Sequence, residues 1–237
     1  MKQILVVLLL FCSGIGRAQT TSPEQLYQNL RNRVFAVKDY RADVIMNIQV
    51  SFMKIPQLRG KLYFKSPDKL KLVREGGLSI LPQRTVNMSL AGLLPEGAVT
   101  VIDGGMETLN EKPVRVLKVV PEQDGGDIVL TKLWVDEGQL LINRSEATTR
   151  DNGTFLMDLK FGKYTAYALP DEIQLRMDVK DYKMPKGVTM DYEGEAVPKP
   201  VAVAGKSKRK KGIIRIRYDQ YQINTGIEDA FFQDKKK

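Results

Sequence analysis

A chain of 237 residues with a formal net charge of +9, a single cysteine and no histidine is bounded first by what it lacks. Without histidine the commonest general base, the commonest metal ligand and the serine–histidine relay are all excluded, and one cysteine cannot close an internal disulfide. The basic balance admits nucleic acid, anionic headgroups or an acidic protein surface as partners.

Lys2, the nine apolar residues Ile4 to Cys12, and the small residues Gly16 and Ala18 read as a secretion signal cleaved after Ala18. The apolar run falls short of the roughly twenty residues that a membrane span requires. Phe11 stands where lipoprotein processing at Cys12 needs a small residue, so the mature chain is expected to carry no thiol. Residues 19–237, with charge +7 once Lys2 and Arg17 are gone, are expected to form one monomeric domain in a Gram-negative periplasm. Export makes nucleic acid the poorest fit of the three partners.

Ser22-Pro23-Glu24-Gln25 predicts a helix start, with a capping serine, proline in the first turn and Gln25 completing a capping box. Leu26, Leu30, Val34 and Val37 then form one apolar stripe, as for a helix packed on a sheet. From Tyr40 the period changes to two. Ala42, Val44, Met46, Ile48 and Val50 share one face of a long strand, and Leu58, Leu62 and Phe64 share a face of the next. Ser66-Pro67-Asp68 makes the turn into a strand that faces Leu70 and Leu72 inward.

Leu78 to Pro95 is apolar but broken by Pro82, Gly92 and Pro95. It reads either as a loop tucked against the core or as a lid of short helical turns, with Met88 and Leu90 as adaptable lining. Thr100–Ile102 and Val114–Val120 read as strands, with Asp103-Gly104-Gly105 and Lys112-Pro113 between them. Ile128 to Lys180 reads as four strands. Two of the breaks are Glu137-Gly138 and Asn152-Gly153, and in the last strand Ile173, Leu175, Met177 and Val179 alternate strictly with Gln174, Arg176, Asp178 and Lys180.

Residues 184–212 hold three prolines and the basic cluster Lys206, Lys208, Arg209, Lys210 and Lys211, and read as an exposed insertion. Ile214, Ile216 and Tyr218 belong to a final strand. About ten strands, one helix and one lid-like segment predict a mainly β (α+β) fold, an antiparallel sheet that curls toward a barrel around its apolar face.

The run Gly60-Lys61-Leu62-Tyr63-Phe64-Lys65-Ser66-Pro67 resembles the hairpin of LolA-type lipoprotein carriers, and later stretches follow the order of that family. These are Val116 to Pro121, Leu133 to Asp136, Ile142 to Glu146, Asn152-Gly153, Leu169 to Ile173, and the final strand with Tyr218, Tyr221 and Asn224. The resemblance implies an incomplete β-barrel closed by helices over a hydrophobic cavity. It also implies carriage of lipoprotein acyl chains from an inner-membrane release transporter to an outer-membrane acceptor. One position departs from the pattern: Ser66 stands where the best-known carriers have an arginine that helps hold the lid closed.

The residues expected to line such a cavity are Met46, Ile48, Leu62, Phe64, Leu70, Leu72, Met88, Leu90, Trp134, Phe155, Met157, Leu175 and Met177. Alternation fixes which of them share a face, and leaves open whether that face meets a ligand or other side chains. The basic cluster around Lys206 to Lys211 is a candidate for docking on headgroups. Asp171 and Glu172 at a strand start read as solvated turn acids, and the Gly-Gly pairs lack the Lys-Ser/Thr of a phosphate loop. No enzyme chemistry and no cofactor is expected. The competing expectation is an interaction module on the same fold.

Overall fold

The computed structural model describes residues 21–50, 53–54, 56–74, 79–80, 91–95, 97–122, 126–150, 153–179 and 210–233. The signal segment, Met88, Leu90, Lys206, Lys208, Arg209 and most of 184–212 lie outside the described residues, so the expectations placed on them remain sequence readings.

Helix α1 spans Pro23–Phe35, and the Ser22 hydroxyl accepts the Gln25 backbone N–H at 3.1 Å, as the sequence predicts. The capping box is only half made, because the Gln25 amide donates to Asn29 Oδ1 at 3.1 Å instead of reaching back. Leu26, Tyr27 and Leu30 are buried, with Tyr27 adding to the predicted stripe.

The strands are β1 (Asp39–Val50), β2 (Met53–Lys54), β3 (Leu58–Lys65), β4 (Lys69–Arg74), β5 (Ser79–Ile80), β6 (Val99–Leu109), β7 (Lys112–Pro121), β8 (Ile128–Asp136), β9 (Leu141–Thr149), β10 (Thr154–Lys160), β11 (Glu172–Val179) and β12 (Lys210–Ile223). They form one antiparallel sheet in the order β5-β4-β3-β1-β12-β11-β10-β9-β8-β7-β6, with β2 paired to β1 off that path. β5 and β6 do not pair with each other, so the barrel is incomplete.

Flat, eleven strands would span about 50 Å, while a 13-residue helix is about 20 Å long. Yet Leu70 and Leu72 near one edge and Val101 on the other edge strand are all buried in one cluster with α1. The sheet therefore curls, and α1 lies in its hollow. Gly60 serves this curl, because a Cβ there would meet the Val73 carbonyl oxygen at 2.4 Å.

Three boundaries differ from the sequence reading. β6 does not stop at Gly104-Gly105. It passes through them as a bulge between Asp103 and Met106, with Gly105 at φ +82° and its N–H bonded to Asp103 Oδ1 at 2.9 Å. The turn into β7 falls at Asn110 and Glu111, both at positive φ. β12 begins at Lys210, so Lys210 and Lys211 are strand residues opposite Val179 and Asp178, where two adjacent lysines hid the alternation.

Candidate functional site

The register lines side chains into rows that cross the hollow. One row runs Ile48, Ile214, Leu175, Met157, Ser145, Leu133, Leu117 over seven adjacent strands. The next runs Gly212, Met177, Phe155, Ala147, Thr131, Val119, Val101. Toward the start of β1 follow Met46, Ile216, Ile173 and Leu159, and then the Leu72-Leu62-Ala42 and Leu70-Phe64-Tyr40 ladders. Period-two alternation puts all of these on one face.

Ten predicted lining residues come together here. Met46, Leu62, Phe64, Leu70, Leu72, Phe155, Met157 and Leu175 are buried in the single large cluster, with Ile48 and Met177 partly buried against it. Trp134 corrects the expectation. It faces the opposite side of the sheet, in a separate cluster with Val114, Val116 and Leu109, and its indole N–H donates to Glu107 at 2.7 Å. Leu133-Trp134-Val135 is apolar on both faces, so the sequence offers no alternation there, and a register shift at Trp134/Val135 compounds this.

The hollow has two unlike ends. Where β1 begins, Tyr40 stacks on Phe64 at 5.1 Å, and Tyr221 meets Tyr40, Tyr164 and Tyr218 at 5.2, 4.8 and 5.5 Å. Burial raises the pKa of Tyr40, Tyr218 and Tyr221, and the Tyr221 hydroxyl donates to the Pro170 carbonyl at 2.8 Å. Toward the end of β1 the rows also carry small residues, namely Gly212, Ala147, Thr131 and Ser145, between large aliphatic ones. The Thr131 and Ser145 hydroxyls are buried on this face and have no hydrogen-bond partner among the described residues. A buried hydroxyl left unpaired costs about 1–3 kcal/mol.

Several anchoring residues were not foreseen. Arg115, only 8% exposed, pairs with Asp103 and Glu137 at 2.7 Å each and donates to the Thr21 carbonyl at 2.6 Å. It ties the chain entering α1 to β6, β7 and the turn after β8. These hydrogen bonds raise the Arg115 pKa, and the bond from Arg115 lowers that of Asp103. Farther along, Tyr27 and Arg31 donate to the Pro95 carbonyl at 3.3 and 2.6 Å, and Arg33 reaches Thr165 at 2.9 Å. Beyond the single-turn 3₁₀ helix Ala91–Leu93, Leu94 is buried beside Leu93. The other described residues of the expected lid, Ser79–Ile80, pair with β4 as strand β5 and so correct the expectation of loop or helical turns there.

At Ser66 no arginine is present, and its flanking lysines serve the C-terminus. Lys65 and Lys69 grip Asp229 at 2.6 and 2.7 Å, which lowers the Asp229 pKa to about 2. Lys71 donates to the Phe231 carbonyl at 2.7 Å, while the Phe231 ring lies 4.5 Å from that of Tyr63.

The outer face holds an open groove of about 920 Å³ bordered by Asp43, Ile45, Arg59, Lys61, Glu172, Arg217 and Asp219. Asp171 and Glu172 both line this groove, where the Asp171 carboxylate accepts the Lys163 N–H at 3.2 Å and Glu172 pairs with Lys160 at 3.0 Å.

Solved structures share this architecture at low identity. A LolA superfamily protein from Nitrosomonas europaea superposes with a TM-score of 0.57 at 10% identity, over 91% of this chain and 99% of that one. A protein domain from Vibrio parahaemolyticus, named for outer-membrane lipoprotein sorting, gives 0.56 at 10%, over 88% and 94%. A DUF1329 family protein from Desulfovibrio piger gives 0.52 at 11%, over 90% and 98%. No family model matches the sequence, and no curated protein matches it. The LolA-like fold expected from the sequence is the fold the chain adopts.

Proposed function

We propose that this protein is a periplasmic carrier that shelters the acyl chains of lipoproteins or other lipids in its hollow and delivers them toward the outer membrane. The carrying observation is the set of apolar rows that cross one curled face, over which pack α1, Leu93-Leu94 and the segment Phe161 to Leu169. Each CH₂ moved from water into such a hollow contributes about 0.8 kcal/mol, so no chemical step is required. The similarity to a lipoprotein-sorting domain supports the choice of cargo. In this reading residues 1–18 are removed on export. An inner-membrane release transporter and an outer-membrane acceptor serve as donor and recipient, and the basic residues Lys206 to Lys211 meet anionic headgroups.

Native mass spectrometry of the mature protein, purified gently from its own periplasm and followed by lipid extraction, tests this. The expected result is an acylated species that disappears in Met177→Asp, a substitution at a partly buried position, while the variant keeps the wild-type circular dichroism spectrum. A bare protein that also fails to bind a fluorescent fatty acid overturns the carrier reading. The outer groove of about 920 Å³, with its mixed charges, favours the second reading, a periplasmic interaction module. A stoichiometric complex with an acidic protein, lost in Arg217→Glu, would establish it.

A further inference from the structure

A wall meant only for hydrocarbon has no use for donors, yet β8 and β9 place two in it. Thr131 and Ser145 are 0% and 1% exposed, and neither hydroxyl has a hydrogen-bond partner among the described residues. Thr131 stands opposite Ala147 and Ser145 opposite Leu133, so the two are diagonal neighbours about 7 Å apart at Cβ on the inner face. Their row neighbours are Val119 and Ala147 beside Thr131, and Met157 and Leu133 beside Ser145, which offer no oxygen or nitrogen acceptor in their side chains. Valine and alanine would fill the same positions without burying an unpaired polar group. The small residues Ala147 and Gly212 share the Thr131 row.

Position along the hollow narrows the ligand. The Thr131 row includes Met177 and Gly212, close to where β11 ends and β12 begins. Beyond the Ser145 row, toward the stacked rings, comes a hydrocarbon row of Met46, Ile216, Ile173 and Leu159. An amphiphile whose chains point toward the rings brings its first polar linkage to Thr131 and Ser145.

We propose that Thr131 and Ser145 donate hydrogen bonds to the ester carbonyl oxygens at the root of a two-chain acyl lipid, so that the hollow selects acyl esters over ether or hydrocarbon chains of equal length. Two donors at diagonal spacing match two carbonyls on adjacent glycerol carbons. The hydroxyl of Tyr218, also unpartnered, lies among the stacked rings at the other end and takes no part. The inference rests on the carrier reading.

The test is displacement of a fluorescent fatty acid from the mature protein by dipalmitoylglycerol and by its dihexadecyl diether, which lacks the carbonyls. Wild type is expected to bind the diester at least tenfold more tightly. The double variant Thr131→Val/Ser145→Ala is expected to bind both alike, with diether affinity unchanged and with a melting temperature no lower than wild type. Should the double variant not fold, Ser145→Ala alone is expected to lose about half of the preference on a logarithmic scale. A palmitoylated diacylglyceryl-cysteine peptide distinguishes the sources: tighter binding than dipalmitoylglycerol points to a lipid-modified protein, and equal or weaker binding points to a free glycerolipid. Equal binding of diester and diether by wild type overturns the inference and leaves the carrier reading standing. A lower melting temperature in the variants, with the preference intact, also overturns it. Failure to bind the fatty acid or any of the lipids overturns the carrier reading itself.

Discussion

Where β1 begins, the hollow is filled by the rings of Tyr40, Phe64, Tyr164, Tyr218 and Tyr221, each in contact with at least one of the others. Where β1 ends, the same sheet face carries Gly212, Ala147, Thr131 and Ser145 between larger aliphatic side chains. Both regions come from the same alternation on the same strands and belong to one buried cluster, yet one is built from stacked rings and the other sets two hydroxyls among hydrocarbon. One continuous apolar face can thus change its chemical character along its length.

The largest effect should come at the ring end. Phe64→Ala removes a ring that is 4% exposed and stacked on Tyr40, and should destabilise the fold by about 3–5 kcal/mol in urea denaturation. A loss below about 1 kcal/mol would show that this end is not packed as described. Next, Arg115→Met should cost about 1.5–3 kcal/mol, because the hydrogen bonds lost are charge-assisted and one holds the Thr21 carbonyl. Amide exchange in the first turns of α1 should rise with it, while exchange in β1 stays slow.

Third, the rings impose an alkaline limit. Tyr40, Tyr218 and Tyr221 have folded pKa values raised above 10.0, so the unfolded chain gives up protons first as pH climbs. Stability from their burial is full below pH 10.0 and is lost as pH rises toward the folded values. An ultraviolet absorbance titration should show these three tyrosines ionising only as the fold melts, and ionisation at the usual tyrosine pH in folded protein would contradict the packing. The smallest effect concerns the opposite face. The Asp229 pKa is held at about 2 against an ordinary 3.8, so its grip on Lys65 and Lys69 is present above pH 3.8 and lost as pH falls toward 2. Asp229→Ala should leave the melting temperature unchanged and alter only the Phe231 ring signals in nuclear magnetic resonance.

The sequence made the framework readable wherever one face is dry and the other wet. Ser22 as cap, the Leu26–Leu30 stripe, and the shared faces of Met46, Leu62, Phe155, Met157 and Leu175 follow from period and turn chemistry. It failed where both faces are covered. On β7, Val114 and Val116 are buried on one side and Arg115, Leu117 and Val119 on the other, so no alternation marks Arg115 as an anchor. Trp134 on β8 was misplaced for the same reason. The hydroxyls of Thr131 and Ser145 left no signal, because strand serines and threonines are ordinary and only the register shows that these two stand side by side without acceptors.

The seam at the middle of the sheet has a temporal consequence. β1 pairs with β12, so that Ile48 finds Ile214, 166 positions farther along the chain. During synthesis or translocation, β1 and β11 each wait with an unpaired edge until nearly the whole polypeptide is available. Closing a loop of that length is slow, and exposed edges invite foreign strands. Maturation of this protein is therefore limited by the arrival of its last long strand. A chain truncated before Lys210 should accumulate as a holdase client in place of a folded domain.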